Sequence, residues 1–500
     1  MPSANNIVES RSKVYYDNEA KFRYYADAAE GGPEYSQKIN PIYRPMLGCS
    51  GDFQQRGTNR YVTQHSLEDT AAYLTRLYKS PVVNLCGPAI DLLAGTVGSP
   101  DSVIINVPND FGMLIDDADN CGSGLNQFML AARTQAAILG HVFIIVDSTK
   151  ASGEIRTQAD VIAQGVRPYF RTISPLDMLS WRLDTNGRPI EILFRIAVEQ
   201  QDSILSAVGQ KDQQYEYRFW SKEQWIVYKQ VGEDIQQFDQ GVNPLGEIPL
   251  SVLYHKKTCA FLGESLIKES SKYTQLLTNW LSDLDGIVTM QSFSQACLRS
   301  VDVPSHVGVG AAKVIHLSPD RKEGDITYGA EDFFYRSPDS SPIDSLWNAF
   351  FRMVSLANDS MALSPEATVD KGHPESGISR AWRWHSTEKR LVSMAVHEQE
   401  TVRSLMYFAA RWKGQDAFSG SVVYGTRFDM SSLGSDIEAM LSLQTIGLPA
   451  TANTELKARV VKKALPNMDP AKQTQIDAEL AAMHTAVDSR LNSDLLANVG

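Results

Sequence analysis

Long apolar runs are missing from this chain of 500 residues. The most continuous one, Val142 to Val146, falls far short of the roughly 20 residues that span a bilayer, which predicts no membrane segment. Cysteine is scarce as well. Cys49, Cys86, Cys121, Cys259 and Cys297 are odd in number and far apart, so neither a disulfide framework nor a CxxC metal site is indicated. The opening residues, MPSANNIVESRSKVYYDNEAKF, hold no apolar core of the signal-peptide kind, and the expectation is a chain not directed to an oxidising compartment. A basic excess is also lacking. Lys and Arg number 47 against 59 Asp and Glu, a formal charge of −12. Such a surface does not grip phosphate backbones as clustered Lys and Arg do.

Motifs that carry chemistry are equally thin. There is no GxxxxGK[ST] loop, and HVGVGAA around Gly308 and Gly310 lacks the third glycine and following helix that a phosphate cradle needs. His397 is followed by Glu398, Gln399 and Glu400 with no second His one turn away, so a helical zinc site gives way to a solvated helix face. DDADNCGSG sets Asp117 and Gly122 at calcium-loop spacing. Its fifth position is Cys121 and its twelfth is Phe128, where a bidentate Glu is required, so a capping or turn role is expected for Asp116, Asp117 and Asp119. Ser386 and Lys389 meet the SxxK spacing without any accompanying motif, and no GxSxG elbow occurs. The nine His residues are scattered. No cofactor or metal is implied, and catalysis is not expected. Trp382, Arg383, Trp384 and His385 mix aromatic and basic groups, but adjacent helical residues point to different faces, which favours core and interface packing over base stacking.

What the chain does have is ordinary globular composition, 43% hydrophobic and 21% charged, and length for about two to four packed units. Residues 1–60 are polar and rich in Tyr, Gly and Pro, predicting an arm with one short helix whose order depends on docking. Ser66 heads a helical pattern with Leu74, Leu77 and Tyr78 on one face, and a second helix follows to Leu93. GLNQFMLAARTQAAILG places Leu125, Phe128, Ala132, Ala136 and Leu139 on one stripe that Gly140 can end, and HVFIIVD follows as a buried strand. Residues 167–254 hold short β-branched and aromatic runs (RPYFRTIS, DMLSWRLD, PIEILFRIAV, YEYRFWS, EQWIVYKQ), with Asn186-Gly187 as a two-residue hairpin signal. NPLGEIPLSVLYH closes this antiparallel region.

From Glu264 to about Leu298, Tyr273, Leu276, Leu277, Trp280, Leu281, Leu284, Ile287 and Val288 recur three and four apart, predicting a helix of roughly 50 Å. Residues 299–336 are short and strand-like. A second amphipathic helix starts after Ser341-Pro342, with Ile343, Leu346, Trp347, Phe350, Phe351 and Val354 on one face. SPEATVDKGHPESG, 364–377, is a loop, and Ser376 caps a third long helix. A short strand, VVYGTRFDM, leads to a helical tail from Asp436.

This order of elements resembles the portal proteins of tailed bacteriophages. YKSPVVNLCGPAIDLLAGTVGSP is similar to their early helical segment, AARTQAAILGHVFIIVD to the helix, glycine and strand of their wing, and RPYFRTISPLDMLSWRLD to the sheet that follows. PESGISRAWRWHSTEKRLVSMA resembles the stretch after their tunnel loop, and LSLQTIGLPATANTELKARVV their C-terminal pattern. The resemblance implies an elongated α+β subunit. Its parts would be an N-terminal arm (1–60), a wing of helices and antiparallel sheet (61–262), a first stem helix (263–298), a clip (299–336), a second stem helix (337–363), a tunnel loop (364–377), a long wing helix with return strand (378–433) and a helical crown (434–500).

It further implies a non-enzymatic virion protein, assembled in the host cytoplasm into a homo-oligomeric ring, usually a dodecamer, at one capsid vertex. Double-stranded DNA would pass through the ring during packaging and ejection. A terminase-type packaging motor, the major capsid or scaffolding protein and a head-completion or tail adaptor would be its partners, with no membrane. Thr368, Asp370, Lys371 and His373 would face DNA; Arg321, Lys322, Glu323 and Asp325 would form the clip interface; Leu277, Trp280, Leu284, Trp347, Phe350 and Phe351 would pack the stem. The charge suits such a channel, because each neutralised phosphate tightens binding and sliding DNA must not be held. Two long amphipathic helices around a small insert also favour packing between subunits. The helix stripes would also fit a helical hairpin folded back on the β region. The alternative functions are an enzyme with a dispersed active site in the β region, which predicts a pocket with convergent polar groups and perturbed titrations, and a monomeric helical adaptor.

Overall fold

The computed structural model describes residues 10–42, 60–65, 68–98, 103–149, 165–198, 214–231, 234–291, 295–299, 314–317, 332–336, 341–363 and 377–425, with scattered positions between 428 and 479. The fold is α+β, as the sequence predicts. The chain forms two units, Met1–Gly98 with Asn106–Val422, and Ser99–Ile105 with Val423–Gly500. The described strands Val103–Asn106 and Ser421–Tyr424 make a two-stranded sheet. The expected helical tail lies largely outside the described residues.

The first unit opens with α1, Lys13–Glu30, in place of the one short helix expected of an arm. Tyr15, Phe22 and Ala29 are buried on one side of it and Tyr24 and Ala28 on another, Tyr24 in a separate cluster with Tyr35 and Tyr61. Helix α2, Thr70–Lys79, starts at Asp69, whose carboxylate accepts the Ala72 N–H at 2.9 Å; the cap expected at Ser66 lies outside the described residues. Its buried pair is Tyr73 and Leu77, while Leu74 and Tyr78 are exposed, correcting the expected stripe. Tyr73 goes inside because its hydroxyl finds the Val62 carbonyl at 2.8 Å. Helix α3 is Cys86–Val97, and α4 is Leu125–Leu139, with its predicted stripe wholly buried and Gly140 in the left-handed conformation at its end.

Strands follow: β1 (His141–Ser148), β2 (Pro168–Ile173), β3 (Met178–Leu183), β4 (Pro189–Val198), β5 (Gln214–Ser221), β6 (Gln224–Val231), β7 (Asp234–Val242) and β8 (Leu250–Tyr254), then a short ladder of Lys257–Cys259 with Leu262–Gly263. Strand β1, buried over its first six residues, lies between β2 and β8 in a three-stranded antiparallel sheet. Strands β3 to β7 form a five-stranded meander. Strand β7, DIQQFDQGV, has no clean alternation, and the sequence reading leaves it out. The β3–β4 turn is longer than the two-residue hairpin expected. Asp184 accepts the N–H groups of Asn186 and Arg188 at 2.8 Å, and only Gly187 has positive φ, 79°. Phe143 and Ile145 of β1, Phe194 and Trp220 of the meander, and Tyr15 and Phe22 of α1 share one core.

The chain then enters a helical hairpin. Helix α5 is Ser270–Gln291, about 33 Å at 1.5 Å per residue, shorter than the predicted Glu264–Leu298. At its start the backbone is committed elsewhere. The Leu266 N–H donates to the Ala137 carbonyl at 2.9 Å and the Ser265 hydroxyl to Ile138 at 2.6 Å, satisfying the open end of α4. Beyond it, Gln295–Arg299 is a strand (β9), parallel to β10 (Val314–Leu317) and antiparallel to β11 (Asp332–Arg336). Helix α6, Ser341–Ser360, returns against α5. Helix α5 ends four residues before Gln295 and α6 begins five after Arg336, its antiparallel strand partner, so the two packed helices run in opposite directions. Helix α7, Gly377–Trp412, crosses β8 and β1, with Ser251 and Ser404 hydroxyls 2.6 Å apart and the Trp412 indole donating to Val146 at 3.0 Å.

Candidate functional site

The hairpin is the predicted site on which the described residues bear. Thr368, Asp370, Lys371 and His373 of the expected tunnel loop, Arg321, Lys322, Glu323 and Asp325 of the expected clip interface, and Gly308 and Gly310 all lie outside them. So do Ser376 and the side chains of Trp382 and Arg383. Trp384 is half-buried and His385 exposed.

Helix α5 has two buried faces, of which sequence reasoning named one. Leu277 and Leu284 are buried and Trp280 is half-buried. The other face is polar. Ser270, Thr274, Thr278 and Ser282, four residues apart, are all at most 1% exposed. Thr278 and Thr274 return their hydroxyls to carbonyls one turn back, at 2.8 and 3.3 Å. Cys86 of α3 lies 3.3 Å from Thr274, and Ser80, just after α2, lies 2.7 Å from Ser282. Arg76 of α2 bonds Glu68 at 2.7 Å, Ser282 at 3.1 Å and Asp283 at 3.4 Å, while Asn279 reaches the Tyr61 carbonyl at 2.9 Å. Short hydroxyl side chains let α5 approach α2 and α3 closely. The spacing of four was present in the sequence, but small polar residues carry no hydrophobic signal.

Helix α6 buries Val354 and Ala357 and half-buries Phe350. Trp347 and Phe351, one turn apart, are 38% and 41% exposed, with rings stacked at 5.8 Å and 26°. Phe350 meets Trp347 edge-on at 5.5 Å.

No family model matches the chain, and no curated protein matches it. Solved structures of gene transfer agent (GTA) particles are similar. A chain of the "Virion of native gene transfer agent (GTA) particle" shares 12% identity over 78% of this chain and 94% of that one, with a TM-score of 0.41. One from the "Neck of empty GTA particle computed with C6 symmetry" shares 11% over 78% and 94%, at 0.41. One from the "Neck of native GTA particle computed with C12 symmetry" shares 12% over 75% and 88%, at 0.37.

The remaining chemistry is structural. Asp119 accepts the Cys121 and Ser123 N–H groups at 2.8 and 3.1 Å and Asp117 that of Gly122 at 2.9 Å, which is a turn role. Among the described residues no group of three His, Cys, Asp or Glu is placed to hold a metal ion, and no helix is long and apolar enough to cross a membrane. His397 is half-buried beside the Tyr254 ring, and Glu398 is fully buried against Arg133, so the expected solvated face is corrected.

Burial lowers the pKa of His141 to about 3. Its Nδ1 accepts the Gly263 N–H at 3.3 Å, which leaves the proton on Nε2 for the Tyr15 oxygen; Tyr15 in turn donates to the Phe261 carbonyl at 2.9 Å. Burial, then Arg390, His397 and Lys256, lower His255 to about 3, against the opposing pull of Glu264. His141 is packed among the rings of Phe22, Phe143 and Tyr254, and both histidines are buried rather than ranged along an open cleft.

Proposed function

We propose that this chain is a portal-like structural subunit of a virion. Copies form a closed ring at one capsid vertex, double-stranded DNA passes through it, and the ring docks a terminase-type motor, the capsid or scaffolding protein and a tail or head-completion adaptor. The observation that carries this reading is the hairpin: two antiparallel helices, a small sheet where they meet, and the stacked Trp347–Phe351 pair exposed on one flank. A lone subunit gains nothing from presenting such rings to water, whereas a second copy would bury them. The element order of the tailed-phage family and the acidic balance of the chain agree with it. The perturbed histidines owe their shifts first to burial in the core, which favours a structural role over the enzyme alternative.

Native mass spectrometry and negative-stain imaging of the purified chain test this reading. Rings are expected; a chain that stays monomeric at every salt and concentration overturns it. Within a ring, replacing Lys371 and His373 by Ala should leave assembly intact and change DNA retention. Loss of assembly would make that loop structural rather than DNA-facing.

A further inference from the structure

Arg390 of α7 is a half-buried cation without a counterion. Among the described residues its guanidinium has no carboxylate partner and one hydrogen bond, from Nη1 to the Ser360 carbonyl at the end of α6, at 3.5 Å. Its Nε and Nη2 have no partner, yet neither is closed off from solvent as the Nε of Arg411 is. A guanidinium cannot shed its proton, so the fold bears the cost of desolvating it. Burial accordingly holds Arg390 below its ordinary pKa, with Glu264 alone pulling the other way.

Glu264 is already engaged, by Lys256 at 3.0 Å and Lys268 at 3.6 Å. The surroundings are otherwise basic. Helix α7 runs antiparallel to β8: the Thr401 hydroxyl meets the Val252 carbonyl at 3.4 Å, and the His397 ring lies 6.5 Å from that of Tyr254. Following both onward, Arg390, about 10 Å along α7 from His397, comes near His255 and Lys256, and its charge acts on His255. The Lys257 ammonium lies 5.5 Å from the centre of the Tyr254 ring. Four cations, Arg390, Lys256, Lys257 and Lys268, thus gather around the carboxylates Glu264 and Glu400, in a chain whose net charge is −12. His255 is the second group in want of a partner. It is 7% exposed, and its Nδ1 is buried without a hydrogen bond.

We propose that Arg390 and His255 form a binding site for one small oxyanion, sulfate or phosphate, whose oxygens take the free edge of the guanidinium and the unpartnered ring nitrogen. The planar fork of arginine suits two oxygens of such an ion, and a neutral imidazole can carry its N–H on Nδ1. The site does not depend on ring formation. Because Arg390 also touches the last residue of α6, and Glu264 leads into α5, an ion held there pins the root of the hairpin.

Sodium sulfate is the probe, because its charge is constant across the neutral pH range. Isothermal titration calorimetry on the full chain, with chloride holding the ionic strength fixed, should show one sulfate bound per chain. Arg390→Met and His255→Phe should each weaken binding by about tenfold or more, and Glu264→Gln, which removes the competing carboxylate, should tighten it by about threefold. In chloride alone Arg390→Met should melt no lower than the parent, since it deletes an unpaired charge. On adding sulfate the parent should gain more than the variant, beyond the general salting-out that both share. No saturable binding to the parent, binding left intact in Arg390→Met or His255→Phe, weaker binding in Glu264→Gln, or an Arg390→Met chain that melts well below the parent or fails to fold in chloride each overturn the site.

Discussion

Arg133 of α4 and Glu398 of α7, 265 residues apart in the chain, meet as a buried ion pair, with Nη2 2.7 Å from Oε1. The guanidinium also reaches the Ala94 carbonyl at the end of α3 and occupies the space where a side chain on Gly98 would be, 2.6 Å from an added Cβ. One arginine therefore closes the carboxyl end of α3 and ties α4 to α7.

Breaking the pair from one side removes the opposite charge from a buried ion. Glu398→Gln or Arg133→Met should cost about 3–5 kcal/mol in urea unfolding, whereas the double variant Arg133→Met with Glu398→Leu should recover much of that. A cost under about 1 kcal/mol for Glu398→Gln would show that water reaches the pair.

Much of this architecture was legible in the sequence, and what was not has a physical cause. The α4 stripe ending at Gly140 and the buried run of β1 stand where periodicity puts them, because one apolar face and one left-handed glycine leave few options. Helix α5 was overextended. Residues 264–269 carry a helix-compatible pattern, but Ser265 and Leu266 serve the carbonyls of α4. The Ser/Thr face of α5 and the burial of Glu398 depend on partners distant in the chain, Ser80, Cys86 and Arg133, which no local pattern reveals. Of the candidate site, the hairpin and its Trp347–Phe351 pair were legible, but not which stem residues stay exposed, since that depends on the neighbour each face meets.

Stability should fall in mild acid. His141 and His255 have folded pKa values of about 3, below the ordinary 6.5, so the fold favours the neutral ring. Their contribution is complete above pH 6.5 and drains away as the pH falls from there toward 3, by up to about 1.4 kcal/mol per pH unit for each histidine. Urea midpoints measured from pH 7.5 to 5 should decline below pH 6.5, with a shallower slope in His255→Gln. A flat profile would mean that these rings are charged in the fold.

Two glycines with similar backbones should behave differently. Gly140 has φ of 89°, and a Cβ there would stand 2.4 Å from the Gly263 carbonyl oxygen, backbone against backbone. Gly414, at φ of 74°, has open space. Gly140→Ala should cost about 3 kcal/mol or more, and Gly414→Ala only about 1–2 kcal/mol of left-handed strain. Equal melting temperatures for the two variants would count against the close crossing.

Size rather than polarity should govern the α5 contact with α2 and α3. Thr278 bonds its own helix, so Thr278→Val keeps the shape and should cost about 1 kcal/mol, while Thr278→Leu should cost about 1–3 kcal/mol by overpacking. Urea unfolding of both variants checks the order.

The two buried faces of α5 also answer differently to temperature. Toward α2 and α3 it is held by hydroxyl and ionic contacts, and its other buried side carries leucines. Apolar attraction fades on cooling, and polar contacts do not share that dependence. On cooling, the leucine contacts of α5 should therefore weaken before its hydroxyl and ionic ones.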